Sequence, residues 1–196
     1  MKSSLLAELK GYDICESVLK AIEKVPRENF VLQEDVEHAY SNYPLPIYEE
    51  QTISQPLTVA LMSQWLDVKP GNSILEIGSG SGYQAAVLSE LAGPEGKVTT
   101  CEVRKKLFEF AKNNLGNYRN VEVIHANASR GYGGMYDRVI MTASARKFPD
   151  ALFGHLKTGG MMIVPVGSYM VLAKKTKNGV VKEMKGYFAF VPLVES

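Results

Sequence analysis

The run Leu75-Glu76-Ile77-Gly78-Ser79-Gly80-Ser81-Gly82 constrains this chain more than any other. A short apolar segment running into closely spaced glycines reads as a buried strand that ends in a tight turn and opens a helix. Glycines there let a bound nucleotide approach the backbone closely. Glu76 makes the run unusual. A carboxylate at the end of a core strand is costly to bury unless something offsets the cost. The cationic part of a ligand does so, whereas a pyrophosphate is repelled. The amino group and sulfonium of S-adenosyl-L-methionine therefore suit this turn better than NAD does. Gly80-x-Gly82-x-x-Ala85 also fits the dinucleotide fingerprint, but the longer Glu-x-Gly-x-Gly-x-Gly pattern from Glu76 is more specific.

The pattern beyond the turn sets the fold class. Strands are predicted at 73–77, 97–102, 121–125, 136–142 and 161–165, with helices at 83–91, 105–115 and 151–156, the last stopped by Gly159-Gly160. This alternation predicts an α/β fold with a doubly wound, mostly parallel sheet. In the tail, runs at 170–175 and 180–185 flank Asn178-Gly179, a strong hairpin signal, and a last apolar run covers 187–193. A C-terminal antiparallel hairpin closing a parallel sheet is the Rossmann-like class I methyltransferase arrangement.

The N-terminal extension reads as helical. Leu5, Leu6, Leu9, Ile14, Val18, Leu19 and Ile22 have helical spacing, broken at Gly11-Tyr12-Asp13 and ended by Pro26. Residues 31–53 form a long loop-rich stretch, which inside a compact domain marks function. Pro56 opens the next helix, through Leu66. We therefore expect one domain over 1–196. Helices and a substrate loop occupy 1–56, the cofactor-binding core 57–167 and antiparallel strands 168–196.

Composition narrows the partners. A net charge of +1 gives no general attraction for nucleic acid or an anionic membrane. Cys15 and Cys101 lie far apart without a CxxC pattern, so neither a disulfide framework nor a metal site is expected. The N-terminus lacks a signal-peptide apolar stretch and no apolar run approaches a membrane span. The expectation is a cytoplasmic monomer. His38, His125 and His155 have no evident catalytic partners, so no triad can be assembled. Methyl transfer from a sulfonium to an ionised carboxylate needs no base. It needs positioning and loss of water around the nucleophile.

Three further positions carry chemistry. Glu102 ends the second strand roughly twenty residues past the turn, where a carboxylate accepts ribose hydroxyls. Asn127, in Ala126-Asn127-Ala128-Ser129, follows the third strand, where its side-chain carbonyl can meet the adenine amine. Gln51-Thr52-Ile53-Ser54-Gln55-Pro56 precedes a helix, and its hydroxyls and free N–H groups suit a carboxylate. On spacing alone, Ser54 serves equally as that helix's N-cap.

These segments carry a resemblance. Val25-Pro26-Arg27-Glu28-Asn29-Phe30-Val31, Ala39-Tyr40, Pro44-Leu45-Pro46-Ile47 and Gln51-Thr52-Ile53-Ser54-Gln55-Pro56 come first. Gly82-Tyr83-Gln84-Ala85-Ala86-Val87-Leu88, Gly159-Gly160, Pro165-Val166-Gly167 and Phe190-Val191-Pro192-Leu193 follow in order. Together they resemble the protein-L-isoaspartate O-methyltransferase family. The resemblance implies methylation of the free α-carboxyl of L-isoaspartyl residues in damaged proteins and peptides. The ester then cyclises to a succinimide that reopens partly to aspartate.

The resemblance also implies roles. Ser54 orients the acceptor carboxylate, with Ile47 and Val191 beside the substrate. Thr52 and Ile53 flank the methionine part of the cofactor. Glu76, Gly78, Ser79, Gly80 and Gly82 line its methionine and ribose side. Glu102 holds the ribose, and Asn127-Ala128 replace the family's Asp-Gly at the adenine. A second departure is Tyr48-Glu49-Glu50, where the family has a glycine-rich stretch. Two carboxylates there repel an acceptor carboxylate if they face it. Competing readings are a paralogue acting on another acceptor, a cofactor-binding protein with little catalysis, and, disfavoured by Glu76, an NAD oxidoreductase.

Overall fold

A computed structural model describes residues 1–194. Seven strands form the main sheet: β3 (Ser73–Ile77), β4 (Lys97–Glu102), β5 (Val121–His125), β6 (Tyr136–Met141), β7 (Leu156–Val166), β8 (Tyr169–Thr176) and β9 (Gly179–Tyr187). Their spatial order is β5-β4-β3-β6-β7-β8-β9. The chain winds from β3 outward to β5, then returns to place β6 on the other side of β3. Pairing is parallel from β5 to β7 and antiparallel through β8 and β9. The reversal between β3 and β6 is the topological switch point, where open α/β sheets bind ligands.

Alternation along the strands builds two cores. Ile74, Ile140 and Ile163 face one cluster, while Leu75, Ile77, Val139, Met141, Met162 and Val164 face the other. All five α-helices pack into the first cluster: α1 (Lys2–Lys10), α2 (Glu16–Lys24), α3 (Pro56–Leu66), α4 (Tyr83–Ala92) and α5 (Lys105–Asn114). The second face is covered by a short 3-10 helix, Asp150–His155, and by irregular segments that contribute Ala128, Ala145, Phe148 and Leu193.

Several elements differ from the sequence expectation. Residues 151–156 were expected as an α-helix, but the segment is the 3-10 turn Asp150–His155, bounded by Pro149 and containing Gly154. Strand β7 begins at Leu156 and runs through Gly159-Gly160 instead of starting after them. Tyr136 pairs with Leu156 and Arg138 with Met161, so β7 bulges there, with Gly159 at φ +85°. The tail hairpin turns on Lys177-Asn178, since Thr176 pairs with Gly179. Gly179, at φ +126°, opens β9, and Thr176 Oγ1 accepts the Asn178 N–H at 3.2 Å. Past Tyr187 the last apolar run leaves the sheet. Val191 and Leu193 instead bracket Ser144 through backbone hydrogen bonds of 2.8 Å each.

The long loop is ordered around a small ribbon. After 3-10 turns at Arg27–Phe30 and Gln33–His38, β1 (Leu45–Pro46) pairs antiparallel with β2 (Thr52–Ile53). Gln55 is the N-cap of α3, and the Leu57 N–H is capped by Asn42 Oδ1 at 3.0 Å. Ser54 is therefore not the cap.

Candidate active site

A cleft partly open to solvent lies over the switch point. Its floor is the C-terminal ends of the central strands: Ile77, Cys101, Glu102, Ala126 and Thr142. One wall is the glycine turn through Gly78, Ser79 and Gly80, and the opposite wall is the segment Gln51, Thr52, Ile53 and Ser54. Asn127, Ala128 and Val191 complete it. Most of the predicted site residues thus converge, although they come from separate stretches of the chain.

The turn is shaped by positive backbone angles. Gly78 sits at φ +96°, and a Cβ there would lie 2.5 Å from Thr142 Oγ1. No side chain fits, so the backbone itself forms the wall. Glu102 pins the turn. Its Oε2 accepts the Gly80 N–H at 3.0 Å, and its Oε1 accepts the N–H groups of Val103 at 2.9 Å and Arg104 at 3.0 Å. Those bonds use three of the carboxylate's lone-pair directions, leaving one on Oε2 for a ribose hydroxyl. Asn127 is similarly part-committed: its Oδ1 accepts the Ser129 N–H at 2.9 Å.

Three predicted site residues lie off the cleft wall. Gly82, at φ +89°, is covered on its far side by Leu115, 2.8 Å from where a Cβ would stand, so it serves helix packing. Ile47 is buried behind Gly80, its Cδ1 3.7 Å from the equivalent point. Glu76 is fully buried beneath the turn. Its Oε2 accepts the Thr100 hydroxyl at 2.5 Å, and Thr100 in turn accepts from the Ser79 hydroxyl at 2.6 Å. Its Oε1 has no partner. Burial drives its pKa up to about 8, with Glu102 adding to the rise and the Thr100 bond opposing it. Glu76 thus reaches the cleft only through Ser79. Protonation offsets its burial without a ligand, which the sequence argument did not consider.

The Tyr48-Glu49-Glu50 loop has a backbone that suits glycine. Glu49 and Glu50 stand at φ +56° and +57°, the left-handed region. Glu49 turns to Arg104, Oε2 to Nη1 at 3.0 Å, while Tyr48 packs edge-on against Phe110 and lies 4.0 Å from Lys106 Nζ. The loop is docked on α5, and Glu50 is exposed. Sequence reasoning gave no cleft role to Tyr83, Gln84, Arg104 or Thr142, all of which line it. The motif around Tyr83-Gln84 was visible, but nothing local showed that those side chains turn toward the cleft.

The cleft suits a nucleoside: it has a bare-backbone turn, the Glu102 carboxylate at the end of β4, apolar walls in Ile53, Ile77 and Leu193, and the amide of Asn127. Fold and site together define a class I S-adenosylmethionine-dependent methyltransferase. Over residues 1–196 the sequence matches the pattern of the protein-L-isoaspartate(D-aspartate) O-methyltransferases, and the chain belongs to that family. The protein-L-isoaspartate O-methyltransferase of Methanosarcina mazei is 43% identical over 202 residues, covering 99% of this chain and 83% of its own. A solved protein-L-isoaspartate O-methyltransferase superposes with a TM-score of 0.92 at 30% identity, covering 100% of this chain and 66% of that one. A Plasmodium falciparum homologue, solved with S-adenosyl-L-homocysteine, superposes with a TM-score of 0.87 at 26% identity and covers 98% of both chains.

Proposed function

We propose that the protein methylates the free α-carboxyl of L-isoaspartyl residues in damaged proteins and peptides, with Ser54 orienting the acceptor. The observation that carries this reading is the position of Ser54. It lies on the cleft wall facing the glycine turn, and Asn42 relieves it of capping α3. Its hydroxyl is then free to donate to a carboxylate oxygen and hold the other toward the methyl group.

S-adenosylmethionine supplies, when bound, a methyl group on a sulfonium. The protein's part is placement. Glu102 and the turn through Gly78, Ser79 and Gly80 hold the ribose and methionine side, and Asn127 and Ala128 the adenine. Thr52, Ile53 and Val191 border the space where donor and acceptor meet. As a C–O bond forms and the C–S bond breaks, the negative carboxylate and positive sulfonium are both neutralised. Such a reaction is favoured by excluding water, and Ile53, 3% exposed, is the apolar surface for it.

The remaining assignments belong to the same proposal. The chain acts as one domain, since Leu5 and Ile22 share a cluster with Leu88 and Ile140. It works as a cytoplasmic monomer on protein and peptide substrates. No helix among the described residues is long and apolar enough to cross a membrane. The test is methyl transfer from labelled S-adenosylmethionine to an isoaspartyl peptide, with the matching aspartyl peptide as control. Base-labile label on the isoaspartyl peptide alone supports the reading. Label on neither peptide, with cofactor bound, rejects it in favour of another acceptor or a binding protein.

A further inference from the structure

Arg27, a charged residue of the N-terminal segment, has no exposed surface. It lies in the Val25-to-Val31 motif, to which the site description assigns nothing. Among the described residues no carboxylate pairs with it. Its Nε donates to the Ala39 carbonyl at 2.9 Å and its Nη2 to the Ser54 carbonyl at 2.8 Å. The guanidinium carbon lies 4.7 Å from the centroid of the Tyr83 ring, and Nη1 has no partner. Burial lowers its pKa to about 10, so it stays charged at neutral pH.

An unpaired buried guanidinium is costly, and a neutral side chain would pack the same space more cheaply. What the arginine adds is geometry. Its planar fork reaches two carbonyls at fixed angles, which neither a lysine nor an aliphatic chain reproduces. Those carbonyls belong to Ala39, at the end of the second 3-10 turn, and to Ser54, just past β2. The face of the fork rests on Tyr83, the first residue of α4. One side chain therefore joins the acceptor wall to the helix that the cofactor turn opens. The described backbone hydrogen bonds outside the regular elements include none to Ser54, so the Arg27 contact is the one that holds its carbonyl.

We infer that Arg27 is a positioning residue for methyl transfer: through the Ser54 carbonyl it sets where the Ser54 hydroxyl stands relative to the glycine turn. The inference rests on the assignment of Ser54 to the acceptor. Arg27 itself does not line the cleft and touches neither reactant.

A double-mutant cycle tests it, using Arg27→Met, Ser54→Ala and the pair, assayed on an isoaspartyl peptide. Arg27→Met is expected to lower kcat/KM by about tenfold or more, and adding it to Ser54→Ala to cost less than about threefold further. The dissociation constant for S-adenosylhomocysteine, which reports a folded cofactor site, is expected to change less than about threefold in each variant. Arg27→Lys, which keeps the charge but loses the fork, supplies the test if Arg27→Met does not fold, with the same expected non-additivity. Multiplicative losses with cofactor binding intact overturn the Arg27 role and leave Ser54 standing. Loss of cofactor binding in both arginine variants also overturns it, because Arg27 would then serve stability alone. An inert Ser54→Ala overturns both assignments.

Discussion

Glu102 grips the Gly80 N–H at 3.0 Å across the floor of the cleft, tying the end of β4 to the glycine turn after β3. The residue expected to hold the ribose thus also holds the turn against which the ribose lies. Glu102→Ala is expected to weaken S-adenosylmethionine by about 1–3 kcal/mol, the range for lost hydrogen bonds to a charged group. It should also lower the melting temperature of the free protein. Calorimetry and a thermal melt read the two effects, and unchanged affinity would remove Glu102 from the site.

Ser54→Ala separates the acceptor from the cofactor. The hydroxyl proposed to orient the acceptor is lost, while the carbonyl held by Arg27 is kept in the alanine variant. The expected result is a fall in turnover on the isoaspartyl peptide equivalent to about 1–3 kcal/mol, with cofactor affinity unaltered. Steady-state kinetics beside calorimetry decide it.

Glu76 gives the free protein a pH dependence of definite sign. Its folded pKa is raised to about 8, above the ordinary carboxylate value. The unfolded chain therefore releases this proton first as pH rises. The stabilising contribution is complete below the unfolded pKa and is lost as pH climbs toward 8. The slope limit for one proton is about 1.4 kcal/mol per pH unit. Glu76→Gln removes the titration, so its stability measured in urea from pH 5 to about 8 should fall less steeply than that of the parent. Parallel profiles would show that Glu76 does not titrate in this window.

Glu50 stands at φ +57°, exposed, where glycine carries no steric penalty. A left-handed residue other than glycine costs about 1–2 kcal/mol, partly offset by the greater unfolded-state freedom of glycine. Glu50→Gly is therefore expected to stabilise the fold by about 0.5–1 kcal/mol in denaturant titration. Glu49→Gly should gain less, because it also breaks the contact with Arg104.

Much of this was legible in one dimension. Strands β3, β4 and β5 stand where the alternation predicted them, because each is a short run rich in β-branched residues. Residues 51–54 and 78–80, distant in sequence, line the same cleft. What failed was local inference about partners. Ser54 has the chemistry of an N-cap, but Asn42, reaching in from another loop, takes that duty. The start of β7 was missed because Gly159-Gly160 reads as a stop, whereas a bulge against β6 absorbs both.

The class of fold, the cofactor turn and the family could be read along the chain, because they rest on periodicity and contiguous motifs that short-range sterics enforce. The folded molecule was needed to find that Glu76 lies beneath the turn and not in the cleft, that Gly82 and Ile47 are packing residues, and that Arg27 bonds the Ser54 carbonyl. Each of these depends on which way a side chain points and on what distant segment meets it. Glu76 and Thr100 are 24 residues apart and Arg27 and Ser54 are 27 apart, and no local pattern encodes such contacts.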